Sequence, residues 1–209
     1  MSRTIDYLFT LMSPWAYLGS APFHALAKRH GVTIRYRPVM LLNVFSETGG
    51  LPLAKRHPVR QAYRFVELQR WRSFRQVPFN LRPKGFPFDP VLADCAIIAL
   101  QAAGRSPEPY LAGAHRAVWA EDRNLSGTEE VAKVLEAAGE DADAVLAAAA
   151  SDAVRAAYEA NREWALQAGV FGAPSYVLDG EVFWGQDRLD LLDVALTCGR
   201  PPYRTDGDT

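Results

Sequence analysis

Apolar positions along this chain follow two different periods, and each change of period marks a change of element. Ile5–Leu11 is a short, nearly continuous apolar run, which predicts a buried strand. Pro14–His30 reads as a helix stopped by Gly31. Val32–Arg37 alternates Val, Thr, Ile, Arg, Tyr, Arg, the period of a strand with one wet face. The chain therefore opens β-α-β, with the second strand parallel to the first.

Leu41–His57 loses both periods, contains Gly49-Gly50 and Pro52, and reads as a loop. Helical spacing returns from Pro58 to Gln76, with Tyr63, Val66, Leu68 and Trp71 set among polar residues. Val77–Pro90 holds Pro78, Pro83, Pro87 and Pro90 and reads as an extended loop. Asp89-Pro90 opens a helix to Ala103. Pro107–Ala120, Thr128–Ala138, Asp141–Ala150 and Asp152–Ala168 follow as further helices. Pro174–Leu178 and Glu181–Trp184 flank Asp179-Gly180, a two-residue hairpin signal. Gly185-Gln186-Asp187 then leads into a helix, Arg188–Thr197, ended by Gly199. A β-α-β half and a β-β-α half enclosing helices give an α/β chain with a thioredoxin-like fold and a helical insertion. Residues 1–40 with 169–209 form the thioredoxin-like domain, and residues 41–168 the inserted α-helical subdomain.

Composition narrows the chemistry. The 209 residues are 49% hydrophobic and carry a net charge of −1. That is enough apolar material for a large core and too little positive charge for a nucleic-acid track or a polybasic membrane contact. The two cysteines, Cys95 and Cys198, form no C-x-x-C and suggest no metal site, so both read as reduced core thiols. No basic start leads into a long apolar block, and no run reaches membrane-spanning length. The cytoplasm is the expected location.

The candidate chemistry lies at Ser13. A serine at the start of a helix accepts a bond from a free N–H of the first turn, and Pro14 fits the first helical position. The same hydroxyl stands at the positive end of a helix, a place that suits an anion such as a thiolate. The plain alternative is an ordinary helix cap. No base neighbours Ser13 in the sequence, since His24 and His30 fall within or at the end of the following helix. Ser13 therefore reads as a donor to a bound thiolate rather than as a nucleophile. This role requires the hydroxyl to be unburied and to face a cavity able to admit a small peptide.

Four local patterns then converge: Ser13-Pro14-Trp15-Ala16 after the first strand, Gly172-Ala173-Pro174-Ser175 before the hairpin, Trp184-Gly185-Gln186-Asp187-Arg188-Leu189, and Val66-Glu67-Leu68-Gln69-Arg70-Trp71. Together, from Ile5 to about Leu196, the chain resembles the 2-hydroxychromene-2-carboxylate isomerases and, behind them, the kappa-class glutathione transferases and DsbA-like proteins. The resemblance implies a glutathione-dependent cis-trans isomerase of aromatic degradation, commonly a dimer. It places Ser13 against the glutathione sulfur, with Trp184 and Gly185 at the rim of the glutathione site. Pro174 is either a plain strand-opening proline or a cis-proline that lets Ala173 pair with an extended tripeptide. Gln186 and Asp187 either cap the last helix or take the γ-glutamyl end, with Asp187 meeting its ammonium. Trp184 and Arg188 have plain readings as a core aromatic and a surface cation. On the substrate side, Lys55, Arg56, Arg82 and Lys84 each read first as a solvated surface cation and otherwise as a candidate for the aromatic carboxylate, with Phe86 and Phe88 candidates for its ring. Gly49-Gly50 stands where relatives often carry Gly-Asn, and Arg60 where they have Lys. The alternatives are a kappa-like transferase, a DsbA-like oxidoreductase, for which Ser13-Pro14-Trp15-Ala16 supplies no sulfur, and a non-catalytic binding module.

Overall fold

The computed structural model describes residues 3–205. Strand β1 (Thr4–Phe9) is followed by α1 (Pro14–His30) and β2 (Thr33–Pro38). Helices α2 (Leu41–Thr48), α3 (Pro58–Arg75), α4 (Val91–Ala102), α5 (Glu108–Trp119), α6 (Thr128–Ala137), α7 (Ala142–Ala149) and α8 (Asp152–Gln167) come next. The hairpin β3 (Ser175–Leu178) and β4 (Glu181–Trp184), then α9 (Leu189–Cys198), complete the fold. One four-stranded sheet has the order β2-β1-β3-β4. β1 runs parallel to β2, with Ile5 opposite Ile34, and antiparallel to β3, with Tyr7 opposite Tyr176. Asp179 and Gly180, both at positive φ (53° and 88°), close the β3–β4 turn, as a two-residue hairpin requires.

Strand alternation divides the core. Tyr7, Phe9, Tyr176 and Leu178 point to one face and join the larger apolar cluster, which also holds Phe23 of α1 and Ile97 of α4. Leu8 and Val177 point to the other face and pack with Val44 of α2 and Ala165 of α8. β1, covered on both faces, is the rigid strand from which the Ser13 turn emerges.

The structure corrects three expectations. Leu41–Thr48 is a helix and Leu53–Lys55 a 3₁₀ turn, where a continuous loop was expected. Leu41, Val44 and Phe45 supply a helical stripe, and Val44 is buried; Gly49 at φ 76° ends the helix. Gly50 lies against Phe45, where a Cβ would meet the ring Cδ1 at 2.2 Å. Cys198 is exposed, and only Cys95 is a core thiol. Last, Asp187 does not cap the final helix. A 3₁₀ turn, Gln186–Arg188, precedes α9, and neither makes a side-chain cap. The Asp187 carboxylate instead takes Arg188 Nη1 at 2.7 Å.

Candidate functional site

The turn after β1 is held from two sides. Ser13 N–H donates to the Thr10 carbonyl at 2.9 Å, and Ala16 N–H donates to Ser13 Oγ at 3.2 Å, so the serine caps α1 as its sequence position suggests. Its hydroxyl donates to the Ala173 carbonyl at 3.3 Å. The Ala173–Pro174 peptide is cis. Pro174 O accepts from Gly185 N–H at 2.9 Å, which ties this loop to the start of the last 3₁₀ turn.

These segments wall a cavity of about 430 Å³. Ser13, Ala173, Pro174, Trp184, Gly185, Gln186 and Asp187, far apart in sequence, all border it. Against the expectation of an unburied hydroxyl, Ser13 is only 3% exposed, because the α1 cap and the Ala173 loop close over it; it still lines the cavity, at its floor. Trp184, 51% exposed, covers Gly172 so closely that a Cβ there would lie 2.3 Å from the indole Nε1. Gly185 adopts φ 106°, which L side chains rarely reach, and a Cβ would stand 2.3 Å from Asp187 Oδ1. Gln186 is 2% exposed, and its Oε1 accepts from Arg75 Nη2 at 2.9 Å and Nε at 3.2 Å. The side-chain oxygen of Gln186 is therefore committed to α3.

On the opposite wall, Arg56 and Phe86 border the cavity together with Met40, Leu41, Phe45 and Leu53. Lys55 and Lys84 do not line it; both are exposed, and the Lys84 N–H bonds Asp122 Oδ1 at 3.2 Å. Arg82, also outside the lining, lies over the Phe65 ring at 4.6 Å. Phe88 is a core residue, 6% exposed.

Sequence reasoning missed several residues. Arg64, Glu67 and Trp71, one helical turn apart on α3, all line the cavity. Asp94 of α4 is fully buried behind the Ser13 turn. It accepts from Leu11 N–H at 3.2 Å, Thr10 Oγ1 at 3.2 Å and Tyr158 OH at 3.1 Å. Burial outweighs these three donors and pushes its carboxyl up to about 7. A lone acid in the otherwise apolar run Val91–Leu100 was the signal for it. No histidine lines the cavity among the described residues. His24 bonds the Ser20 carbonyl and Tyr36 OH, and burial pushes the imidazole of His115, packed between Phe9 and Tyr17, down to about 3. Among the described residues no side-chain base bonds the Ser13 hydroxyl, whose partners are the Ala173 carbonyl and the Ala16 N–H, so it serves as donor and acceptor rather than as an activated nucleophile. Among the described residues no cluster of His, Cys, Asp and Glu could hold a metal, and no helix is long and apolar enough to cross a membrane.

The arrangement matches known proteins across nearly its whole length. The DSBA-like thioredoxin domain model matches residues 4–197. A 2-hydroxychromene-2-carboxylate isomerase of Sphingobium xenophagum is 32% identical over 198 residues, 94% of this chain and 99% of that protein. Glutathione S-transferase kappa 1 of Rattus norvegicus is 23% identical, covering 93% and 91%. A solved structure of 2-hydroxychromene-2-carboxylate isomerase superposes with a TM-score of 0.78 at 28% identity, covering 93% of this chain and 95% of that one. The chain belongs to the DSBA-like thioredoxin domain family and, within it, to the family of the 2-hydroxychromene-2-carboxylate isomerases.

Proposed function

We propose that the protein binds glutathione in this cavity and isomerises 2-hydroxychromene-2-carboxylate, or a close analogue, to its trans-o-hydroxybenzylidenepyruvate form during aromatic degradation. The observation that carries this reading is the Ser13 hydroxyl at the N-terminus of α1, bordering a peptide-sized cavity beside Ala173-Pro174, with no cysteine or histidine in the lining among the described residues.

The residues fit a tripeptide thiol. Ala173 borders the cavity, and its N–H has no acceptor among the described residues, leaving it free to pair with an extended peptide. Asp187, at the cavity edge, presents a carboxylate to the tripeptide's ammonium. When bound between Ser13, Ala173 and Asp187, glutathione would supply a thiolate as a reversible nucleophile toward the activated C=C of the ring-opened substrate. Ser13 turns its hydrogen from the Ala173 carbonyl to the sulfur anion. Hydroxyl and helix N-terminus together favour the charged form, lowering the thiol pKa. Phe86 and the apolar residues of α2 take the aromatic ring, and Arg56 on the same side of the cavity offers a cation to a carboxylate.

Incubating the purified protein with 2-hydroxychromene-2-carboxylate tests this directly. The expected result is glutathione-dependent formation of the trans isomer, with glutathione recovered unchanged by NMR. Absence of conversion overturns the reading. A product that keeps the glutathionyl group would instead establish the transferase activity that the kappa-class relative suggests. Disulfide exchange is not expected: Cys95 is 1% exposed with its thiol pushed up by burial to about 11, and Cys198 lies outside the cavity lining.

A further inference from the structure

Most arginines of this protein have an acid partner. Arg3, Arg29, Arg35, Arg37, Arg105, Arg116, Arg123 and Arg162 are among those paired with carboxylates within 4.0 Å, nearly all on the surface. Arg64 breaks this habit. It projects from the middle of α3 into the cavity wall, it is only partly exposed, and it has neither an acid nor a carbonyl partner among the described residues. A second guanidinium, Arg56, borders the same wall, held through Nε by the Leu51 carbonyl at 2.8 Å. Glu67, three residues further along α3, also lines the cavity, but its carboxylate is engaged by Arg70 Nη1 at 2.5 Å.

Two like charges, one of them half-buried, facing an apolar cavity are each other's penalty. Burial and the charge of Arg56 together hold the Arg64 guanidinium down at about 10, far below its ordinary range. The pair is relieved by an anion arriving from outside the protein. A planar fork of N–H donors matches a carboxylate in two-point contact, which an ammonium cannot offer.

We propose that Arg64, with Arg56 beside it, is a carboxylate receptor built into the α3 wall of the cavity, and that Arg64 sets the preference of the site for an anionic ligand. This rests on the isomerase reading above. Two carboxylates meet this description: that of the aromatic substrate and that of the glycine end of glutathione.

Paired substrates separate the two sources. Wild-type and R64Q protein are assayed with the aromatic substrate as its free acid and as its methyl ester, and with glutathione and its glycine monoethyl ester. Two-point charge-assisted contact is worth about tenfold to a hundredfold in kcat/KM. Loss of the acid-over-ester preference for the aromatic substrate in R64Q assigns the receptor to that substrate. Loss of the preference for glutathione over its ester assigns it to the tripeptide. R64K, which keeps the charge and loses the fork, is expected to restore the preference only in part. Both preferences unchanged in R64Q, with wild-type protein active, overturns the receptor and leaves the isomerase reading intact. Inactive wild-type protein overturns that reading instead. A loss equal for acids and esters marks a structural defect and also overturns the receptor. R64Q is expected to fold, because Arg64 makes no bond that the fold uses.

Discussion

At the scale of single residues, Ser13 caps α1 and, in the proposed function, also donates to the cofactor sulfur, and one variant reports on both. Replacing it with alanine removes the α1 cap, at a cost of about 1 kcal/mol of stability. It also removes the donor to the sulfur, for which a loss of roughly a hundredfold or more in kcat is expected. Kinetics and a urea melt on the same preparation read both; turnover near wild type with the cap energy lost would leave Ser13 a helix cap and nothing more. The cap was legible in Ser13-Pro14, because capping is decided by neighbours in sequence. The carboxylate behind it was not, because Asp94 meets Thr10 and Leu11 only after α4 has packed against the sheet.

Asp94 also has a signature in pH. Its carboxyl ordinarily titrates at 3.8 and is held near 7 in the fold, so between those values the folded state keeps a proton that the unfolded chain has lost. The stability it contributes is complete below about pH 3.8 and disappears as pH rises through 7. His115 works in the opposite sense: its ordinary value of 6.5 is pushed down to about 3, so its contribution is present above 6.5 and is lost on acidification. The two slopes offset between about pH 4 and 6.5. Asp94→Asn keeps an acceptor oxygen and removes one slope. Urea denaturation across pH 4–8 is therefore expected to show a steeper acid-side loss in the variant than in wild type. Parallel curves would refute the raised Asp94 carboxyl.

At the scale of elements, α3 reaches across the cavity to fix the turn that follows β4. Arg75 packs over Trp71 with its guanidinium carbon 5.1 Å from the ring centroid, and its fork closes on Gln186. Arg75→Ala is expected to free the Gln186-Asp187 turn and raise KM for glutathione about tenfold while kcat changes little. Steady-state kinetics with varied glutathione checks this; an unchanged KM would mean that the turn holds its shape unaided. The helices, strands and hairpin were readable because their periods and stop signals are local. Leu41–Thr48 escaped because the stripe is only two turns long and Met40 offers no side-chain cap. Arg75 and Arg64 escaped because, on a helix so rich in arginine, nothing in the sequence says which cations face inward.

At the scale of the molecule, the cavity is walled by segments from both ends of the chain and by the helices between them. A ligand seated there binds the folded state only. Glutathione at a hundred times its dissociation constant stabilises by about 2.7 kcal/mol, which for a domain of this size raises the melting temperature by roughly 5–10 °C. Differential scanning fluorimetry with glutathione is expected to show such a shift, and Asp187→Ala to show much less of it at the same concentration. Equal shifts in both would take Asp187 out of the site.

The 3.3 Å bond from Ser13 to the Ala173 carbonyl has a selective effect. In the resting protein that hydrogen already has somewhere to go, so a newcomer must outbid a neutral oxygen to capture it. A thioether or an alkylated peptide offers nothing stronger, and leaves the hydrogen in place. Only a full negative charge wins the exchange. In the proposed function the site would thereby favour the ionised form of its helper molecule over capped versions of it, through sulfur, the one atom at which those versions differ.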